Sequence, residues 1–392
     1  MAHKIQVLCT IFISFATLFF TTTKATTFNV MSYGAKPDRK TDSTPAFLKA
    51  WSAACSLVQT STTMYVPPGN FTIKPAVFKG PCGSRINVVI DGTLVAPDNY
   101  WDLGNSGYWL LFVLVNKLSI YGGTLDAKGT EFWKCRLRGG NCPAGARSLT
   151  FNYVNDGLIS GLTSLNSQLM HIVINSCNNV RVQNVKTIAP ALSPNTDGIH
   201  VQISTGVTIY NSNIQTGDDC ISIGPGTRNL WMEQVKCGPG HGVSIGSLAR
   251  DLNEDGVMNV TLINSEFRGS DNGVRIKSWA RPSTAFVTNI NFRNLIMKNV
   301  ANPIIIDQNY CPNNQGCPRQ ASGVKINQVL YQNIQGTSST PFAVLFYCSP
   351  SNPCRGIIME DIKITYLNSQ AKSFCNNMGG TTRGVYLPER CL

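Results

Sequence analysis

One short pattern recurs along most of the chain and restricts its fold more than any other feature. It runs polar or small, apolar, any, apolar, any, then polar or glycine. It reads Asn179-Val-Arg-Val-Gln-Asn184, Gly206-Val-Thr-Ile-Tyr-Asn211, Asn229-Leu-Trp-Met-Glu-Gln234, Asn259-Val-Thr-Leu-Ile-Asn264, Asn289-Ile-Asn-Phe-Arg-Asn294, Gly323-Val-Lys-Ile-Asn-Gln328 and Gly356-Ile-Ile-Met-Glu-Asp361. Weaker copies begin at Asn87 and Lys117. Period-two alternation marks strands. The anchors Val180, Val207, Leu230, Val260, Ile290, Val324 and Ile357 follow one another at 27, 23, 30, 30, 34 and 33 residues. A near-regular period with insertions predicts an all-β solenoid, a right-handed parallel β-helix whose loops expand at the turns. The recurring asparagines fit side-chain ladders between coils. A β-sandwich or propeller is the alternative, but hairpin signals are sparse.

Four polar clusters interrupt these strands between Ser193 and Lys277: Asn195-Thr196-Asp197, Gly217-Asp218-Asp219-Cys220, Gly240-His241-Gly242 and Arg275-Ile276-Lys277. Asp197 to Asp219 is 22 residues, and Asp219 to His241 is another 22. One coil apart, about 4.8 Å in a parallel sheet, they would face one groove. Adjacent strand residues point to opposite sides, so Asp218 and Asp219 share that groove only if the chain bends at Gly217. Arg275 and Lys277 are two apart and point the same way, offering two cations to an anionic ligand. Clustered carboxylates raise one another's pKa. That arrangement suits chemistry in which one carboxyl donates a proton while another stays ionised, as in glycoside hydrolysis. A calcium site or a solvated Asp-rich turn is the alternative.

Residues 1–25 read as a secretory leader: Lys4 near the start, an apolar Ile5 to Phe20, and Thr23-Lys24-Ala25 for cleavage. Residues 26–392 are then expected to form one β-helix domain with no linker and no membrane span. The full chain carries a net charge of +12, and the leader holds only two of its cations, Lys4 and Lys24. A basic exported protein suits a polyanion. No helix-turn-helix, RNP-type motif or Lys/Arg-rich run favours nucleic acid, so an acidic polysaccharide is the expected partner and a monomer the expected state. Of 14 cysteines, Cys9 lies in the leader. Order and spacing pair Cys55–Cys82, Cys135–Cys142, Cys220–Cys237, Cys311–Cys317, Cys348–Cys354 and Cys375–Cys391, leaving Cys177 as a buried thiol; sequence alone does not fix connectivity. No cysteine or histidine spacing suits zinc, so no metal and no cofactor are expected. Asn70-Phe-Thr72 and Asn259-Val-Thr261 are glycosylation acceptors and are expected in surface turns.

A single helix is expected, with Thr44 as cap, Pro45 in its first turn, and Phe47, Ala50, Trp51, Ala54 and Val58 on one face, covering the end of the solenoid core. Insertions between Leu125 and Arg147 and between Asp307 and Arg319 could close one end of the groove. The first adds Lys128, Lys134, Arg136, Arg138 and Arg147 as possible anchors for an acidic sugar. His171 and His200 are either substrate ligands or ordinary core or surface histidines. Tyr310, after Asp307-Gln-Asn, is a candidate sugar-stacking ring, and Trp279 is the tryptophan best placed to join it.

The stretches Ser-Pro-Asn195-Thr-Asp197-Gly-Ile-His, Gly-Asp218-Asp219-Cys-Ile-Ser-Ile, Cys-Gly-Pro-Gly-His241-Gly-Val-Ser-Ile-Gly-Ser and Gly-Val-Arg275-Ile-Lys277 together resemble the signatures of plant polygalacturonases, glycoside hydrolase family 28. The resemblance runs from about Phe28 to the C-terminal cysteines. Gly123-Thr-Leu-Asp126-Ala-Lys-Gly129 departs from the Asp-Gly-Gln-Gly of many relatives, outside the four motifs. The resemblance implies a pectin-lyase-like β-helix that hydrolyses α-1,4-galacturonosyl bonds of pectin with inversion and no cofactor, in the plant cell wall. It implies Asp218 as general acid and Asp197 and Asp219 as the pair that activates water. His241 would tune the acid, and Asn195, Arg275, Lys277 and Tyr310 would bind substrate. A silent pectin-binding module would keep the basic groove and lose a carboxylate; all three are present.

Overall fold

A computed structural model describes residues 26–58 and 60–391; the expected leader lies outside them. The chain winds into a right-handed parallel β-helix. Its strands form one sheet of 11 and one of 18, and every pairing but the short Thr365–Gln370 hairpin is parallel. The 11-stranded sheet is one flat face. The long strands of the other sheet, such as Thr205–Gln215 and Val257–Arg268, bend midway and supply two faces.

The recurring motif explains those bends. Its last residues, Asn184, Asn211, Gln234, Asn264, Asn294 and Asp361, all have positive φ, as do its first residues Asn179, Asn229, Asn259 and Asn289. Asparagine and aspartate tolerate the left-handed region because their short polar side chains bond locally. Stacked corners also bond along the axis: Asn294 Nδ2 donates to Asn264 Oδ1 at 3.1 Å and Asn333 Nδ2 to Asn294 Oδ1 at 3.0 Å. The two apolar residues of each motif point inward, and Val207, Ile209, Leu230, Met232, Val260 and Leu262 are sealed in the core.

The structure moves one anchor. Ile290 pairs with Val329, and Val329 with Ile357, so the sixth copy is Gln328-Val-Leu-Tyr-Gln-Asn333 rather than the segment beginning at Gly323. The insertion stapled by Cys311–Cys317 lengthens that coil. Val324 is buried elsewhere, its carbonyl accepting from Gln308 Nε2 at 2.9 Å.

The N-terminal helix spans Thr44–Ser56 and buries Phe47, Ala50, Trp51 and Ala54. Thr44 is its first residue rather than its cap: Asp42 Oδ1 accepts the Thr44 N–H at 3.0 Å. Val58 lies past the end and is exposed. Two further short helices, Trp101–Gly104 and Thr130–Leu137, were not expected. The second packs Phe132 and Trp133 against Tyr100, Leu169 and Ala189. All six expected disulfides form, and Cys177 is free and buried, burial raising its thiol to about 11. Both acceptor asparagines lie on strands, not turns: Asn70 begins Asn70–Thr72. Asn259 is a rung of the ladder, donating to Asn229 Oδ1 at 2.6 Å and accepting from Asn289 Nδ2 at 3.3 Å. Among the described residues, no helix is long and apolar enough to cross a membrane.

Candidate active site

Register along the 11-stranded face brings the polar clusters together. Ile199 pairs with Ile221, Ile221 with Val243, and Val243 with Val274. Asp197, Asp219 and His241 each precede their strand by two residues, so they share one row across three coils. The next row is the groove floor: His200, Ser222, Ser244 and Arg275 stack in register. Above this floor lies a groove of about 930 Å³, lined by residues from Tyr108 to Tyr310, including Asn195, Asp197, Asp218, Asp219 and Lys277.

The chain bends at Gly217 and Asp218, which puts adjacent aspartates on the same side, as expected. A Cβ at Gly217 would sit 2.2 Å from the Ser193 carbonyl oxygen, so only glycine permits the approach. Thr196 Oγ1 accepts the Gly217 N–H at 2.9 Å, tying the Asp197 loop to this bend. Beneath them the Cys220–Cys237 disulfide is buried.

The three carboxyls have different surroundings. Asp219 is almost wholly buried and fully engaged. Oδ1 accepts from Ser244 Oγ at 2.7 Å and Arg275 Nη2 at 2.8 Å, and Oδ2 accepts from Lys277 Nζ at 2.8 Å. Burial alone would raise its pKa, but Lys277 and Arg275 overturn that and hold it at about 2. Asp197 is pushed up to about 7, first by burial and then by the charges of Asp218 and Asp219, with Ser222 and Lys277 pulling the other way. Asp218 is the most open of the three, its side chain 19% exposed. Oδ2 accepts the Asn195 N–H at 3.2 Å, and Oδ1 lies 3.1 Å from His241 Nδ1. That contact raises His241 against its partial burial, and Asp271 Oδ2 lies 3.5 Å from the other ring nitrogen.

Asp218, Asp219 and His241 bring ligand atoms within 4.8 Å of one another, a spacing a cation could use. The donor set does not fit one. Both Asp219 oxygens already meet the charges of Arg275 and Lys277, and a divalent ion would have to displace them.

Arg275 and Lys277 therefore point the same way, as expected, but onto Asp219 rather than into open groove. Their side chains are only 13% and 7% exposed, and Arg275 Nε also donates to Ser244 Oγ at 2.9 Å. Tyr310 closes over the pair, with Lys277 Nζ 5.1 Å and Arg275 Cζ 5.9 Å from its ring centroid. Trp279 meets Tyr310 edge-on at 5.7 Å. His171 is a core residue, its Nδ1 2.8 Å from Ser164 Oγ. His200 lies in the groove floor between Ser222 Oγ at 2.8 Å and Gln202 Oε1 at 3.1 Å, and burial lowers its pKa. Sequence reasoning passed over Ser222 and Ser244. Each is the centre of an Ile-Ser-Ile or Val-Ser-Ile strand, where alternation alone turns it out toward the groove. Asp271, Arg250 and Glu254 carried no such signal.

The family model described as "Glycosyl hydrolases family 28" matches residues 55–384. A polygalacturonase of Prunus persica is 55% identical over 368 residues, covering 93% of each chain. An exopolygalacturonase of Platanus acerifolia is 42% identical, covering 92% of this chain and 96% of its own. Among solved structures, the endo-xylogalacturonan hydrolase of Aspergillus tubingensis superposes with a TM-score of 0.81 at 20% identity, over 92% of this chain and all of that one; at that identity the match speaks to fold alone.

Proposed function

The chain belongs to glycosyl hydrolase family 28, and from that premise we propose that it hydrolyses the α-1,4-galacturonosyl bonds of polygalacturonate, with Asp218 as the acid. The observation that carries the assignment is the unequal state of the three carboxyls. Asp218 is the most exposed of the three carboxyls lining the groove, where it can reach a glycosidic oxygen, and His241 and the Asn195 N–H hold it there. Asp219, pinned by two cations, is ionised throughout the working range.

In the reactive state Asp218 carries the proton it donates and Asp197 is ionised; burial beside two other carboxyls gives Asp197 high proton affinity. Asp218 protonates the glycosidic oxygen as the bond from C1 breaks. A water oriented by Asp219 attacks C1 and gives its proton to Asp197. Proton return from Asp197 and solvent resets the site. Asp219 is a poor nucleophile because both its oxygens are bonded to donors, so water rather than carboxylate attacks. The new reducing end is then the inverted β-anomer. Asp218 and Asp219 approach more closely than the about 6.5–9.5 Å between the carboxyls of an inverting pair.

Residues 26–392 act in this reading as one β-helix domain, exported behind the 1–25 leader to pectin of the plant cell wall. The test is release of reducing ends from polygalacturonate by the wild-type chain and by Asp218→Asn, with the first product's anomer read by proton NMR. Loss of general acid catalysis predicts a fall of roughly 10²–10⁴-fold. Near-normal turnover in Asp218→Asn removes it from the acid role, and an α-anomer product would make a carboxylate the nucleophile.

A further inference from the structure

A groove that holds a polyanion needs cations whose charge is not already met. Arg275 and Lys277 each already meet Asp219 with part of their donor set. The loop carrying Lys128, Lys134 and Arg136 does not supply them either: Lys128 pairs with Asp98, Lys134 with Glu131 at 2.7 Å, and Arg136 lies 5.8 Å over Phe132.

Two arginines remain on the groove wall. Arg147 begins the Arg147–Asn152 strand, three strands from Ile221–Ile223, or about 14 Å along the axis. It is exposed, and among the described residues its side chain donates only to the Gly107 carbonyl, at 3.3 Å. It lies close enough to His200 to oppose that ring's protonation. Arg250 lies in the loop after Val243–Leu248, also exposed and also lining the groove. Its backbone is fixed on both sides: Glu254 Oε1 accepts the Arg250 N–H at 3.3 Å, and Arg281 Nη1 donates to the Arg250 carbonyl at 3.2 Å. Glu254 is in turn held by Thr284 Oγ1, which accepts its N–H at 3.1 Å. Neither arginine has an ion-pair partner among the described residues.

The charges nearby sharpen the contrast. Asp219 meets two cations, and Asp218 faces His241. Arg147 and Arg250 are therefore the exposed cations that line the groove, opposed there by Asp251 and Glu254.

We infer that Arg147 and Arg250 are further carboxylate-reading residues of this groove: they bind uronate carboxylates on sugars flanking the cleaved bond and add to a preference for de-esterified polymer. The inference rests on the galacturonan reading above and names what reads the substrate's charge. A guanidinium fork matches the two equal oxygens of a carboxylate, and a methyl ester offers neither the charge nor the symmetry.

The experiment compares Arg147→Gln, Arg250→Gln and the double variant, with Arg147→Lys and Arg250→Lys as conservative controls and Lys363→Gln on a distant face. kcat and KM are measured on polygalacturonate and on highly methyl-esterified pectin at several salt concentrations. Calorimetry of a de-esterified oligogalacturonate on the Asp218→Asn background reads binding without turnover. Each glutamine variant is expected to raise KM on polygalacturonate roughly tenfold, the loss of one charge-assisted bond. The effect on esterified pectin should be much smaller, so selectivity falls and the salt dependence flattens; lysine should restore part of both. Lys363→Gln should leave the selectivity in place. Glutamine variants that keep wild-type selectivity, salt dependence and oligosaccharide affinity would overturn the inference, as would a loss confined to kcat. A wild-type chain that cuts neither polymer defeats the functional reading instead, and calorimetry still decides whether the arginines bind the acid sugar.

Discussion

Lys277 Nζ donates to Asp219 Oδ2 at 2.8 Å with both side chains nearly sealed from water, and this pair fixes the charge state of the whole site. A buried ion pair is not in itself strongly stabilising, because desolvation offsets the attraction, but removing one partner leaves an uncompensated charge. Lys277→Met is therefore expected to cost about 3–5 kcal/mol of folding stability and to raise the Asp219 pKa, with activity falling sharply. Adding Asp219→Asn should recover much of the stability and none of the activity. Denaturant unfolding and rate assays on the two variants check this. A single variant as stable as wild type would mean that Arg275 alone meets the Asp219 charge.

The raised pKa of Asp197 gives the acidic side of the pH dependence a definite sign. As the proton acceptor Asp197 must be ionised, so the rate should fall as pH drops through the region near its value of about 7 and the carboxyl takes up a proton. Asp197→Asn removes the acceptor, and its residual activity should lose that acidic limb. Rate–pH profiles of the two proteins check this, and an acidic limb that stays in place in Asp197→Asn would assign it to another group.

Cys220–Cys237 closes a 17-residue separation directly below the aspartates. A loop of that size is worth about 3 kcal/mol of chain entropy. Cys220→Ala/Cys237→Ala should lower stability by about that amount and lose activity even where the protein remains folded, because the bend at Gly217 loses its base. Thermal melts alongside turnover at a temperature well below the melt separate the two effects. Equal activity per folded molecule would make the bridge a staple only.

Most of the fold was legible because the strands announce themselves locally. Ile221-Ser-Ile223 and its neighbours alternate, and left-handed corners at Asn211, Asn264 and Asn294 leave a residue-type mark. Register across an insertion left no such mark, so the anchor moved from Val324 to Val329. The Thr130–Leu137 helix was missed because its order comes from Phe132 and Trp133 packing on Tyr100 and Leu169, residues remote in sequence. At the site, the acids could be placed from their 22-residue spacing. Which partner Arg275 and Lys277 choose could not, since Asp219 lies 56 and 58 residues earlier and two cations on one strand edge look alike whether they face substrate or a buried carboxylate. Arg250 sits in a loop without periodicity, and only the fold turns it to the groove.

The position of the acids within the groove bears on the mode of attack. An enzyme that trims chain ends needs a blocked groove, with the acids near the block. Here the lining extends over four strands before Ile221–Ile223, beginning at Tyr108–Val113, and over three after it, ending at Asn302–Tyr310. The Thr130–Leu137 helix packs beside Tyr100 and Leu169. On the far side Tyr310 lies over Lys277, and the Cys311–Cys317 loop follows it. Acids placed mid-groove leave room for sugars on both sides of the cleaved bond, and internal cleavage is the expected result. Viscosity of polygalacturonate should drop early, with a spread of oligomers in the first products. Monomer as the sole early product, with viscosity hardly changed, would mean that one of these loops closes the groove in the working enzyme.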